Sequence, residues 1–525
     1  MKVLVTGGTG VVGQAAVTDL LKRGHTVRLV SRNAAEDARQ WPAQTGASAG
    51  VEAWPASIGD QTELKGCADG CDLVLHLAGI VEESPPKVTF ENTNVEGTRA
   101  ILREAERAKV GRFIYVSSLG AETGESPYHR SKRRAEDIVR GFAGGWIILR
   151  PGNVYGPGDE VVSLLLTMVR TLPVVPFIGT GDDEFQPIWA EDLAAAIAAC
   201  VDRTDLHGRV LDIAGDEVTS TTDLLNRFVE ITGRNPARIP VPGFLASAGA
   251  TIAGVLGLRL PINENQLIML SEGNVIRTPG GNALLGVLHI KPTPLDSALR
   301  KLADAQPEQT PDEGVGALRR KRFWADIAAS KLTPEDLFAR LRARFGELTP
   351  LHMDVHAEPG APTVLNKGTT VTMALPVRGN VQVRVEQLTP TKATLVTLSG
   401  HPLCGAIRFL SEQRGDLLRF EVQVYDRPAN IADWLVMRIA GDQLQGQTWE
   451  SVVQAMVTES GGRALGPVRT EEEDLDDDQA DRVEDWLKEL IAERKRSQRS
   501  PAETSRKARG NSGAAPSAAE SEATL

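Results

Sequence analysis

Short apolar runs separated by longer amphipathic segments mark the first half of the chain. The runs are KVLVTG, TVRLVSR, DLVLHLAG and RFIYVSS, and segments of helical period lie between them. Continuous apolar runs of this length fit strands buried on both faces, as in a parallel sheet with helices on either side. We therefore predict an α/β fold, a doubly wound parallel sheet, over residues 1–305, with a small substrate lobe formed mainly by residues 151–305.

Further along, the pattern changes to alternation of apolar and polar residues. It runs through TTVTMALPV, VQVRVEQL, KATLVTLSG, AIRFLSEQ and LLRFEVQVYD, with turn residues between the segments, and predicts an antiparallel sheet. One helix opens at Thr333, a capping residue followed by Pro334, and a long helix closes the region over residues 431–457. These elements predict a separate α+β domain over residues 321–465, reached through a polar linker at residues 306–320.

The last part of the chain, residues 466–525, has a polar composition. It contains the acidic run EEEDLDDDQ, a short amphipathic helix in DRVEDWLKELIAERKR, and a low-complexity segment rich in Ser, Ala and charged residues. Such a segment buries too little apolar surface to fold, so we expect a disordered, solubilising tail. Its mixed charge makes it a possible contact for a protein partner.

Length, charge and cysteine usage restrict the class of protein. A chain of 525 residues is too long for one core, and its net charge of −11 argues against nucleic acid as a partner, because phosphate contacts need clustered Lys and Arg. The four cysteines lack the paired spacing of a zinc site or disulfide framework, so we expect no metal and a reducing compartment. These cysteines are Cys67, Cys71, Cys200 and Cys404.

Two observations concern localisation. The N-terminus has no apolar signal-peptide core, so we expect a cytoplasmic protein. Residues 239–258 carry no charge and approach the length of a membrane span, but they are only weakly apolar and contain prolines and glycines. Membrane contact is therefore the less favoured interpretation, and buried or lid helices of the substrate lobe are preferred.

A glycine-rich turn, TGGTGVVG at residues 6–13, lies between the first strand and the first helix. In a dinucleotide site, the glycine at Gly7 would make the turn, Gly10 would let the backbone approach a pyrophosphate, and Gly13 would allow the helix to pack closely on the strand. The backbone of Val11 and Val12 would then offer the positive end of the helix to the phosphates. The turn predicts a dinucleotide-binding Rossmann domain.

Several further motifs follow this turn in a fixed order. They are HLAG at 76–79, NVEGT at 94–98, YVSS at 115–118, YHRSK at 128–132, LRPGNVYGPG at 149–158 and FQPIWAEDLA at 185–194. Together they resemble the extended branch of the short-chain dehydrogenases/reductases, the epimerase/dehydratase-like enzymes. The stretch VSSLGAETGESPYHRSKRRAE is closer to atypical members related to the nucleotide-binding accessory subunit of respiratory complex I. Dehydratases carry an Asp-Glu pair where this chain has Leu119-Gly120, which argues against dehydration.

The resemblance implies a set of catalytic residues. Tyr128 would act as general acid or base and Lys132 would tune it, while Ser118, or its neighbour Ser117, would hold the reacting oxygen and Asn94 would support proton transfer. Residues four apart share a helix face, so we expect the Lys132 ammonium to lie near the Tyr128 phenol and to lower its pKa toward working pH.

The cofactor contacts are inferred in the same way. Besides the glycine turn and Lys132, the resemblance places the cofactor against Ala78, Gly79, Pro151 and Val154. Asp60 either meets the adenine or caps a helix, and the two roles are compatible. The second strand ends in Arg32 with no acidic residue beside it, which favours NADP, with NAD as the alternative.

The sequence thus predicts an NAD(P)-dependent oxidoreductase acting on a carbonyl or secondary alcohol of a small-molecule substrate. Two alternatives remain: a redox-silent nucleotide-binding scaffold or sensor, and an NAD-dependent epimerase. The C-terminal domain, through GHP at 400–402 and YDRP at 425–428, resembles an uncharacterised bacterial family with suspected helix-grip architecture. Neither His401 nor Arg427 is assigned chemistry there.

Overall fold

The computed structural model describes residues 1–41, 50–86, 88–159, 161–241, 274–277, 281–349, 355, 357–375, 379–430, 433 and 442–499. The chain divides into two compact units. The first comprises Met1–Leu166, Pro176–Phe228 and Arg238–Ala305, and the second comprises Thr167–Val175, Val229–Ala237 and the chain from Gln306 onward. Two short stretches within the expected substrate lobe therefore cluster with the second unit.

Strands and helices alternate up to residue 305. The strands are β1 (Lys2–Thr6), β2 (Thr26–Ser31), β3 (Val51–Pro55), β4 (Leu73–His76), β5 (Arg112–Val116), β6 (Gly145–Pro151), β7 (Val154–Tyr155), β8 (Val174–Ile178), β9 (Ile188–Trp189), β10 (Arg209–Ile213) and β11 (Ala237–Val241). The α-helices are α1 (Val11–Lys22), α2 (Ala34–Asp37), α3 (Gln61–Leu64), α4 (Gly97–Arg107), α5 (Pro127–Arg140), α6 (Val162–Thr171), α7 (Ala190–Asp202), α8 (Thr221–Thr232), α9 (Ala283–Gly286) and α10 (Leu295–Asp304).

Seven of these strands form one parallel sheet in the order β10-β6-β5-β4-β1-β2-β3. The apolar faces of α1 and α7 cover one side of the sheet, and those of α4 and α5 cover the other. Because both faces are covered, residues such as Val3, Leu4 and Val5 are all fully buried, which explains the uninterrupted apolar runs. The predicted doubly wound Rossmann sheet is confirmed.

The second unit is built on an antiparallel sheet. Its strands are β12 (Arg319–Ala328), β13 (Thr370–Leu375), β14 (Gly379–Leu388), β15 (Lys392–Thr397), β16 (Leu403–Arg414), β17 (Leu417–Pro428), β18 (Arg463–Ala464) and β19 (Arg469–Asp474). They pair in the order β13-β14-β15-β16-β17-β12-β18, with β19 also on β12. The helices are α11 (Pro334–Ala343), α12 (Phe345–Leu348), α13 (Asp442–Ser460) and α14 (Asp477–Arg499).

Helices cover both faces of this second sheet. The alternating apolar residues pack against α11, α12 and α13 in a core that contains Phe409, Phe420 and Trp449. On the opposite face, Val483 and Leu487 of α14 pack against Tyr425 and neighbouring apolar residues. The separate α+β antiparallel domain expected from the alternation is therefore present.

Two segments expected to be solvated, the acidic run and the polar linker, are paired or buried in the structure. The acidic run contributes to β19, which pairs with β12 and sets Glu471 opposite Arg322. The expected short helix is α14, a helix of 23 residues. The expected linker is also packed: the backbone amide of Gln309 donates to the Thr397 carbonyl, and Gln306 is buried. Sheet pairing and burial, rather than local polarity, decide the state of these segments.

A buried ion cluster joins three parts of the second unit. The Glu308 carboxylate pairs with Arg384 of β14 and with Arg494 and Lys495 of α14, and Arg494 also donates to Glu386 at 2.7 Å. Burial pushes the pKa of Glu308 up, but the surrounding cations outweigh it and bring that pKa to about 2. Glu308 is therefore an ionised carboxylate held between cations in the interior.

None of the described helices is long and apolar enough to cross a membrane. Most of the uncharged stretch at 239–258, to which the lid or membrane interpretation applied, lies outside the described residues, as does the tail from residue 500.

Candidate functional site

The glycine turn joins β1 to α1, and its three key glycines are held by different constraints. Gly7 has a φ of +70°, and a Cβ there would lie 2.6 Å from the Ala78 amide nitrogen. A Cβ at Gly13 would overlap the Gly7 carbonyl oxygen, whereas a Cβ at Gly10 would meet no atom nearer than 3.6 Å. The protein's own packing therefore requires glycine at Gly7 and Gly13 but leaves open space beside Gly10.

This open space lies at the positive end of a helix. Gly10 is the N-cap residue of α1 and has no side chain to cap it, and the first turn of α1 carries no acidic residue. A Cβ added to Gly156 would lie 3.2 Å from the Val11 side chain, which places the loop after β7 beside the same helix end. An unblocked, uncompensated helix N-terminus fits the pyrophosphate of a dinucleotide.

We expect Gly10→Ala to weaken binding of a nicotinamide dinucleotide by about tenfold or more without lowering the melting temperature, because the added methyl group meets ligand rather than protein. Gly13→Ala is the matched control: it should destabilise the fold by about 1–3 kcal/mol, because its methyl group meets backbone. Calorimetric titration and thermal unfolding measure the two effects. If a folded Gly10→Ala protein kept the wild-type affinity, the pyrophosphate would not bind at this turn.

Helix α5 carries the proposed proton-transfer residues. Ser126 caps it by accepting a hydrogen bond from the His129 amide, and Pro127 occupies the first turn. This start sets Tyr128 and Lys132 one turn apart on the helix. The Tyr128 and Ser118 side chains hydrogen-bond to each other. The structure thus brings a phenol and the hydroxyl at the end of β5 together.

Lys132 is buried close to the same group. Its Nζ donates to the Val116 carbonyl at 2.8 Å and lies 4.5 Å from the centre of the Tyr115 ring. A Cβ at Gly79 would lie 3.6 Å from this Nζ, so the segment after β4 passes close to the ammonium. Ala78 and Gly79, predicted to contact the cofactor, therefore lie between the glycine turn and Lys132.

Asn94 links the segment after β4 to α5. Its Oδ1 accepts from the Ile80 amide at 2.9 Å, and its Nδ2 donates to the Ser131 hydroxyl at 3.0 Å. It belongs to a π-helical turn, Glu91–Glu96, and such turns are frequent at functional sites because they shift a side chain out of regular register. Asn94 is placed to brace the site, and its backbone continues into α4.

Ser117 and Ser118 have different hydrogen-bond partners. The Ser117 hydroxyl donates to the Glu136 carboxylate at 2.6 Å, whereas Ser118 faces Tyr128. Of the two serines left open by the sequence, Ser118 is therefore the one adjacent to the phenol.

The expected lowering of the Tyr128 pKa is wrong. Burial raises the pKa of Tyr128 to about 12, and the hydrogen bond with Ser118 offsets only part of the rise. Burial also lowers the pKa of Lys132 to about 7, against the opposing field of Glu136. The cost of desolvating each charged form exceeds the attraction that the four-residue spacing suggested.

The adenosine end of the predicted site contains one residue that sequence reasoning missed. Arg32 follows β2 and is exposed, and Asp60 caps α3 by accepting from the Thr62 amide at 2.8 Å. Asp37, at the end of the short helix α2, accepts a hydrogen bond from the Ser31 hydroxyl. The strand end therefore does have a carboxylate beside it, brought back by a helix whose four-residue length gave no sequence signal.

The two remaining predicted cofactor contacts follow the central strands. Pro151 ends β6 and is buried, and Val154 begins β7, which pairs with β9 through Ile188. Both therefore lie at the carboxyl-terminal side of β6, the edge at which ligands bind in doubly wound folds.

Comparison with known proteins identifies the family. Residues 3–214 match the model of the NAD dependent epimerase/dehydratase family. The chain is 33% identical over 255 residues to the ceramide reductase of Caulobacter vibrioides, covering 48% of this chain and 77% of that protein. It is 27% identical to the mitochondrial NADH dehydrogenase [ubiquinone] 1 alpha subcomplex subunit 9 of Arabidopsis thaliana, covering 52% and 69% of the two chains.

A third relative is the 3 beta-hydroxysteroid dehydrogenase/Delta 5→4-isomerase of Mycobacterium tuberculosis, which is 32% identical over 189 residues and covers 31% of this chain and 49% of that protein. All these matches span about half of this chain or less. With its glycine turn, its Tyr128–Lys132 pair and these relatives, the chain belongs to the NAD-dependent epimerase/dehydratase family and is an NAD(P)-dependent enzyme.

Proposed function

We propose that the first unit reduces the keto group of a largely apolar substrate to a secondary alcohol, using NADPH. A bound nicotinamide would supply the hydride. Tyr128 donates the proton to the carbonyl oxygen, Ser118 holds that oxygen by a hydrogen bond, and Lys132 binds the cofactor's ribose and supplies positive charge. Hydride and proton together convert the ketone into the alcohol, and the reverse reaction uses the same groups.

The observation that carries this proposal is the hydrogen bond between Ser118 and a Tyr128 phenol whose pKa lies at about 12. Such a phenol is protonated at neutral pH, which suits a proton donor. The reductase among the relatives favours reduction over oxidation as the direction.

Two observations support an apolar substrate. The names of two of the relatives, the ceramide reductase and the 3 beta-hydroxysteroid dehydrogenase/isomerase, refer to a ceramide and a hydroxysteroid. In this chain, Phe90 packs edge-on against Tyr128 with ring centres 6.0 Å apart. An apolar ring thus flanks the proposed proton donor.

The proposed preference for NADP depends on Arg32. Its guanidinium is exposed after β2, whereas the Asp37 carboxylate is engaged by Ser31. We expect Arg32→Ala to weaken NADPH binding by about tenfold or more, because a charge-assisted contact to the 2′-phosphate is lost, and to leave NADH binding unaltered. Asp37→Asn is the matched variant and should weaken only NADH. Fluorescence titration with NADPH and with NADH measures the two affinities. An Arg32→Ala protein whose affinity for NADPH falls no more than its affinity for NADH would contradict the NADP assignment.

The experiment that tests the proposed function is a turnover assay. NADPH oxidation is followed by absorbance with a 3-ketosteroid, a keto-ceramide and UDP-glucose as candidate substrates. Oxidation with either apolar ketone supports the proposal. Interconversion of UDP-glucose with cofactor retained and no net oxidation would contradict it in favour of an epimerase, and tightly held cofactor with no turnover of any of the three would favour a scaffold.

We also propose a cytoplasmic location and a protein contact through the tail. The four cysteines are free and buried, which supports a reducing compartment. The polar composition after residue 499 supports the second proposal.

A further inference from the structure

A buried carboxylate lies one turn beyond the proposed catalytic lysine. Tyr128, Lys132 and Glu136 are spaced four residues apart along α5, so they share one face of the helix. The Glu136 side chain is fully buried. A buried carboxylate on the face that carries the reacting groups needs an explanation, because desolvating a charge is costly unless it is paired.

Glu136 is held ionised by a set of donors. Arg150 of β6 donates to both of its oxygens, each at 2.9 Å, and Arg140 donates to Oε2 at 2.8 Å. Burial pushes the pKa of Glu136 up, but the hydrogen bonds from Arg150 and Ser117 outweigh it, so the pKa lies below its ordinary value. The group carries a full negative charge in the interior of the unit.

One consequence is mechanical. The Ser117 hydroxyl donates to Glu136 at 2.6 Å, and the Ser117 amide donates to the Leu149 carbonyl at 2.7 Å. Ser117 is thereby fixed at both its backbone and its side chain. The next residue, Ser118, has an extended backbone and reaches Tyr128. Anchoring Ser117 therefore sets the position from which Ser118 approaches the phenol.

The second consequence is electrostatic. Lys132 is surrounded by neutral groups: Tyr128 on its own helix, the Tyr115 ring of β5, and His76 of β4, whose burial lowers its pKa to about 3. The field of Glu136 opposes the loss of the lysine's charge that burial causes.

We propose that Glu136 is a positioning residue of this site, which fixes Ser118 through Ser117 and keeps Lys132 charged for cofactor binding. The proposal rests on the proposed function of the site. It separates into two effects that two variants distinguish: Glu136→Gln removes the charge, and Ser117→Ala removes the anchor while leaving the charge.

The test is the pH dependence of NADPH affinity, with thermal unfolding as the check on folding. In the wild type, affinity should fall as pH rises through about 7, where Lys132 loses its proton. Removing a nearby anion favours the neutral amine, so in Glu136→Gln the midpoint of this fall should move to lower pH by about half a unit or more. Ser117→Ala should keep the wild-type midpoint but lower kcat for the ketone that the turnover assay identifies.

Each of the two variants tests one of the two proposed roles of Glu136. A folded Glu136→Gln protein with the wild-type midpoint would overturn the electrostatic role, and wild-type kcat in Ser117→Ala would overturn the anchoring role. Arg150 keeps Glu122 as a partner at 3.0 Å, so we expect Glu136→Gln to fold. If Glu136→Gln does not fold, Glu136→Asp, which restores the charge, should recover folding and the wild-type midpoint; a shifted midpoint there would contradict the proposal. Wild-type protein that binds no NADPH would instead refute the proposed function itself.

Discussion

Replacing Tyr128 with Phe should reduce turnover by about a hundred- to ten-thousand-fold, because the substrate oxygen loses its proton donor. NADPH affinity should stay close to that of the wild type, because Lys132 and the glycine turn are untouched. The Tyr128 ring also packs edge-on against Phe90, and Phe preserves that contact. Steady-state kinetics and cofactor titration on the same preparation check both parts.

The control is Tyr425→Phe, which removes a phenol hydroxyl from the second unit. That hydroxyl donates to Gln423 at 3.2 Å and takes no part in the proposed chemistry. Its loss should cost about 1 kcal/mol of stability and leave kcat unchanged. If Tyr128→Phe were as active as Tyr425→Phe, Tyr128 would not be the proton donor.

Glu308→Gln should destabilise the second unit by about 3 kcal/mol, because Arg384 and Arg494 each lose a buried carboxylate partner, although Glu386 still accepts from Arg494. Denaturant unfolding followed by tryptophan fluorescence measures the change. Glu493→Gln is the matched control on the same helix: its ion pair with Lys367 at 3.1 Å is exposed, so its loss should cost less than about 1 kcal/mol. Equal effects of the two variants would contradict the account of the cluster.

The same cluster predicts acid sensitivity. The folded pKa of Glu308, about 2, lies below its ordinary value of 4.5, so folding binds fewer protons at this group than unfolding does. Its contribution, about 3 kcal/mol, is fully present above pH 4.5 and is lost as pH falls from about 4.5 to about 2. Glu308→Gln should show a correspondingly shallower loss of stability across that window.

The parts of the fold that could be predicted from sequence are those set by local pattern. The uninterrupted apolar run at residues 2–6 predicted a strand buried on both faces, and the glycine spacing at residues 6–13 predicted a tight turn before a helix. The two-residue alternation of the later strands likewise predicted an antiparallel sheet. In each case a local residue pattern carried the signal, even where the contact itself is distant, as between Gly7 and Ala78.

The features that the sequence did not predict depend on partners that are distant in sequence. The acidic run forms part of β19 because its glutamates face arginines of β12, as Glu473 faces Arg320. Asp37 reaches the end of β2 only because α2 folds back, and the pKa of Tyr128 follows burial rather than spacing. The burial of Glu136 depends on Arg150 of β6, which donates to both of its carboxylate oxygens in the structure.

We conclude that the glycine turn binds a dinucleotide whose nicotinamide end lies beside Tyr128 and Lys132. A crystal structure with bound NADP+ tests it most directly. We expect the diphosphate to lie against the backbone of Gly10 and Val11, the nicotinamide to lie beside Tyr128, and Lys132 to donate to the adjoining ribose. A nucleotide bound elsewhere, or a Tyr128 hydroxyl directed away from the nicotinamide, would contradict it.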